Sequence, residues 1–75
     1  IVGYKPAADY VKLGEAINFY TVVEAARQRG EVAMGYRLHA YANDSTRAYG
    51  VSVNPDKSVA ITFAERDRII VLAEE

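Results

Sequence analysis

Apolar residues first repeat at helical spacing at Phe19, Val22, Val23 and Ala26, which predicts one buried helical stripe. Asn18 precedes the stripe and suits an N-cap, because its side chain can accept from free amides of the first turn. Ile17 and Val22 stand where a hydrophobic staple would close. Glu24, Arg27 and Gln28 fall on the watered face, with Glu24 and Arg27 a weak i,i+3 pair. Gly30 can adopt the left-handed conformation that ends a helix, so the helix is expected over residues 18–29.

The period then changes from 3.6 to 2. Val32, Met34, Tyr36 and Leu38 alternate with Ala33, Gly35, Arg37 and His39, which predicts a strand over 31–38 with one apolar face. Residues 42–48 read as a polar loop and 49–53 as a second strand. Residues 54–57 read as a turn around Pro55. Val59, Ile61 and Phe63 alternate and predict a further short strand. Residues 64–68 are a charged turn, and 69–73 an apolar run suited to a central strand buried on both faces. At the start, residues 1–5 read as an opening strand limited by Pro6, and 7–17 as an approach segment with turns at 7–10 and Gly14. The last three strands are spaced for hairpin-like antiparallel pairing. The expected fold is α+β: a small βαβββ-type mixed sheet with one helix on a face, the other face left for a partner.

Seventy-five residues make one domain, and a chain this short buries only about 60% of its unfolded surface. An apolar fraction of 51% is high for that size, which points to a partner surface and a homodimer. Nine Lys and Arg against ten Asp and Glu argue against a nucleic-acid surface. No cysteine is present, so neither a disulfide nor a thiolate zinc site can staple the fold, and a reducing compartment suits it. No apolar run approaches the ~20 residues that span a bilayer. The sequence opens on Ile1 and its only methionine is Met34, from which a piece of a longer protein is expected.

Candidate chemistry is sparse. There are no paired carboxylates, no nucleophile elbow and no base beside a nucleophile, so catalytic residues are read as none and the chain as no enzyme. No acidic cluster announces a calcium or magnesium cage, so the metal reading is also none; Asn43, Asp44 and Ser45 read as a solvated turn. His39 reads first as an ordinary strand-end histidine, Asn54 as a turn residue and Arg37 as solvated. Their second reading is ligand contact, with Arg37 gripping phosphate or carboxylate beside the small residues Ala33 and Gly35. Asp67 reads as a cap of the turn that it closes. Tyr36, Tyr41 and Tyr49 suit either an interface or sheet packing.

A helix ending in glycine, the strand EVAMGYR, a second strand running into Asn54-Pro55 and a closing Asp67-Arg68-Ile69-Ile70-Val71 together resemble the C-terminal lobe of RCK (TrkA-C) domains. The wording NFYTVVEAARQRGEVAMGYR and VSVNPDKS is similar to the CASTOR/POLLUX branch of ion-channel proteins. The resemblance implies a non-catalytic regulatory domain over 1–75, at the cytoplasmic face of a potassium channel or transporter. It implies a Rossmann-like lobe and a membrane pore as partners, dimerisation, and a small anionic ligand where two lobes meet. No G-x-G-x-x-G element is present, so no dinucleotide cofactor is expected. The alternative is a stand-alone interaction module that dimerises and binds no ligand.

Overall fold

Asn18 caps the helix as its side chain allows: Oδ1 accepts from the Thr21 backbone N–H at 3.1 Å. In the computed structural model, which describes residues 1–73, helix α1 spans Phe19–Arg27 and ends through Gln28 at Gly30, whose φ of 74° is a left-handed closure. Six strands surround it: β1 (Val2–Pro6), β2 (Ala16–Asn18), β3 (Glu31–Arg37), β4 (Val51–Val53), β5 (Ala60–Thr62) and β6 (Arg68–Ala73). Short 3-10 turns occupy Ala7–Asp9, His39–Tyr41 and Ser45–Gly50. The α+β class is as the sequence indicated.

The main sheet has the order β1-β6-β3-β4, and β2 pairs with β5 in a separate two-stranded ribbon. Every pairing is antiparallel, so the sheet is not mixed. β6 is central, and Ile69, Ile70 and Val71 are all buried, as a continuous apolar run demands. The last three strands do not pair in succession. β4 joins β3, β5 joins β2, and β6 inserts between β1 and β3. Strand β2 was hidden in the approach segment, because three residues carry too little periodicity to show. Tyr49 lies outside the second strand, at φ 56° within the preceding 3-10 segment.

The core lies between α1 and one face of the sheet. Phe19, Val22 and Ala26 of the helix meet Ala33, Ile69, Val71 and Phe63, while Val23 sits half-buried at the edge. Tyr36 packs between Phe19 and Phe63, with ring centroids at 6.0 and 5.5 Å, and so is core rather than interface. Tyr41 lies beneath Arg47, whose guanidinium stands 4.5 Å from the ring centroid, and Tyr49 is exposed.

A β-bulge corrects the expected phase of β3. Ala33 pairs with Val71 but Gly35 pairs with Ile70, so Met34 is the extra residue. Val32 therefore faces outward, 60% exposed, while Tyr36 faces the helix. Residues directly opposite one another in register share a face. The open face thus carries Val2, Tyr4, Val32, Val53, Ile70 and Leu72. All but Ile70 are exposed.

Gly35 marks the closest backbone approach. A Cβ there would lie 2.0 Å from the Ser52 carbonyl oxygen, whereas one on Gly3 meets nothing nearer than 3.8 Å. Gly35→Ala should therefore push β4 from its register and destabilise the fold by about 1–3 kcal/mol. Gly3→Ala should stay within about 0.5 kcal/mol of wild type. Urea unfolding midpoints at constant slope check the pair; equal midpoints would mean that β4 does not pack on Gly35.

Candidate functional site

Arg37 is the last residue of β3 and stands in register with Arg68, the first residue of β6. Antiparallel neighbours in register project their side chains to one side, so two guanidinium groups share the end of the open face. Two residues earlier, Arg66 enters from the turn before β6. With His39, Ala42 and Asn43 these arginines line a groove of about 460 Å³.

The groove owes its shape to Asp67, which is 5% exposed. One carboxylate oxygen accepts from the Ala64 N–H and the other from the His39 N–H, each at 2.8 Å. The first bond closes the turn, as the sequence indicated. The second ties that turn to the end of β3, which the sequence did not show. The Asp67 carbonyl also accepts from the Ala7 N–H at 3.0 Å, drawing in the segment after β1. Both carboxylate oxygens thus serve backbone donors.

Of the three ligand candidates read from the sequence, Arg37 and His39 meet in this groove. Asn54 does not line it. It holds the turn after β4 at φ 55°, donates its N–H to the Met34 carbonyl at 2.7 Å and accepts from Lys57 Nζ at 3.2 Å. Nor do the small residues beside Arg37 leave room as expected. Ala33 is buried on the helix side and the space over Gly35 is filled by β4. In the sequence, Arg66 and Arg68 show only as part of a charged turn. Their i,i+2 spacing leading into an apolar strand was the available signal, but only the β3–β6 pairing brings Arg68 opposite Arg37.

His39 also borders a second cavity of about 510 Å³, with Leu38, Tyr41, Thr62, Glu65 and Asp67 among its walls. A separate polar cluster lies on the helix side of the sheet. Buried Glu31 accepts from Tyr10 Oη at 2.6 Å and Lys5 Nζ at 3.1 Å, with Arg29 Nε at 3.7 Å. Burial, reinforced by the hydrogen bond to Glu31, pushes the Tyr10 phenol up to about 12. The Tyr10 hydrogen bond first, and then Lys5, holds the Glu31 carboxyl below its ordinary 4.5. Asn43 lines the arginine groove, whereas Asp44 caps the following turn by accepting from the Thr46 N–H at 3.0 Å. Among the described residues no group of three or more His, Cys, Asp or Glu is placed to hold a metal ion. No helix among them is long and apolar enough to cross a membrane.

Over 71 residues the chain is 34% identical to the probable ion channel CASTOR of Oryza sativa subsp. japonica. The matched stretch is 95% of this chain and 7% of that protein. No protein-family profile matches the chain. The likeness is therefore to a small segment of an ion-channel protein, and it runs through both the groove and the open sheet face.

Asp67→Ala would leave the Ala64 and His39 backbone donors of two part-buried bonds without their acceptor. It should lower stability by roughly 2–4 kcal/mol, read from urea unfolding. Glu24→Ala removes only exposed contacts with Arg27 and Gln28 and should leave the midpoint unchanged; equal losses would show that Asp67 holds nothing together.

The Tyr10–Glu31 pair sets two pH edges. Tyr10 has a raised folded pKa, so its contribution is complete below 10.0 and is lost as pH climbs towards about 12. Glu31 has a depressed folded pKa, so its contribution is complete above 4.5 and is lost as pH falls through the folded value. Thermal midpoints of wild type should fall on both sides. Tyr10→Phe should flatten the alkaline fall, and an identical alkaline slope in the two proteins would rule the linkage out.

Proposed function

We propose that the chain is a non-catalytic regulatory domain of an ion-channel protein, of the RCK C-lobe (TrkA-C) type, that acts as a homodimer and senses a small ligand. The observation that carries this reading is the likeness to an ion-channel protein along 95% of the chain. On this reading the domain stands at the cytoplasmic face of a potassium-conducting protein, beside a Rossmann-like lobe. A change in the relative orientation of two copies would be transmitted to the pore.

The open sheet face supports the dimer. Val2, Tyr4, Val32, Val53 and Leu72 form an apolar surface on the side away from α1. A second copy laid against it removes that surface from water, at roughly 25 cal/mol for each Å² of apolar area buried. A two-fold contact needs one self-complementary patch, and an exposed apolar sheet face is suited to that role.

Light scattering on the chain at tens of micromolar should report twice the chain mass. Val32→Lys and Leu72→Lys alter exposed positions, so each should yield a folded monomer by circular dichroism. A wild-type monomer whose thermal midpoint is independent of concentration would sink the dimer.

A further inference from the structure

Five of the nine basic side chains have a carboxylate partner: Lys5, Lys12, Arg27, Arg29 and Arg47. Lys57 donates to Asn54 instead. Among the described residues, the arginines left without an acidic partner are Arg37, Arg66 and Arg68, and all three line the same groove. Asp67, which stands between two of them in sequence, directs both carboxylate oxygens to backbone N–H groups. Like charges directly opposite on neighbouring strands are destabilising, yet Arg37 and Arg68 occupy that arrangement. The arrangement is suited to an anion from outside the chain.

We propose that the groove lined by Arg37, Arg66 and Arg68 binds a small, soluble phosphate compound, with His39 and Asn43 as further polar walls. A guanidinium presents its donors in a planar fork, and two forks side by side match adjacent edges of a tetrahedral phosphate. A carboxylate is planar and fills one fork, so three converging arginines favour phosphate over carboxylate. The groove holds about 460 Å³, room for a small phosphate compound rather than a folded partner. The site is built within one chain. It rests on the ligand-sensing part of the proposed function, whose ligand it identifies by chemistry, and it does not require the dimer.

Isothermal titration of the chain with pyrophosphate at low salt tests this. Saturable binding at one site per chain is expected, weakening as salt rises. R37Q and R68Q should each raise the Kd at least tenfold while leaving the apo thermal midpoint unchanged or higher, because removing one charge relieves the repulsion. R68K should bind more weakly than wild type and more tightly than R68Q. R27Q, which alters an arginine paired with Glu24 on the helix, should leave the Kd unchanged. The proposal is overturned if pyrophosphate gives no saturable heat, if citrate binds equally well, or if R27Q weakens binding as much as R68Q. Capture by phosphatidate vesicles without binding of free pyrophosphate would also overturn it, since the phosphate would then belong to a lipid surface. Light scattering on the same samples separates the two readings. A monomer that binds pyrophosphate removes the dimer and leaves the site, whereas a dimer that binds nothing removes the site alone.

Discussion

The structure turns on the Asp67 carboxylate. Two backbone donors, from Ala64 and His39, find their acceptor on this one buried side chain. The Asp67 carbonyl serves a third donor, from Ala7. Three places far apart in sequence are thereby joined at the start of the central strand. β6 can then run between β1 and β3, with Ile69 and Val71 against the helix. A carboxylate at this position, rather than an apolar residue, lets a charged turn pack beside a buried strand.

The two faces of the sheet have unequal fates. One is closed by a single nine-residue helix and by Phe63, and Tyr36 packs with the aromatic pair Phe19 and Phe63. The other is apolar and open across β1, β6, β3 and β4. Among the described residues no second α-helix covers it, which leaves an apolar surface for a partner. At one end the apolar face gives way to Arg37 and Arg68. A surface for association and a groove for an anion therefore share an edge. A ligand held in that groove would bear on whatever is docked beside it, which is a simple physical route from binding to reorientation.

Local physics made much of the fold legible in the sequence. The helix was visible because its stripe, its Asn18 cap and its Gly30 stop all agree. The central strand was visible because Ile69, Ile70 and Val71 form an uninterrupted apolar run of strand length. The turn role of Asp67 was visible because short acidic side chains accept from nearby amides. Arg37, on the non-core face of its strand, and His39, at the strand end, are legible in sequence as polar residues, and both line one groove.

Tertiary structure alone decided the rest. Nothing in the alternation around Met34 reveals a bulge, because the extra residue is defined only by the partner strand that it fails to match. Ala60–Thr62 resembles a member of the main sheet, yet it pairs with Ala16–Asn18, a three-residue strand too short to carry a period. Asn54 reads first as a turn residue in sequence and the fold keeps it there, but only the fold shows that it lies clear of the arginine groove. The grouping of Arg37 with Arg66 and Arg68 depends on a strand pairing that spans about thirty residues. Sequence fixes which side chains carry charge and which local shapes the backbone prefers; long-range register decides which of those charges meet.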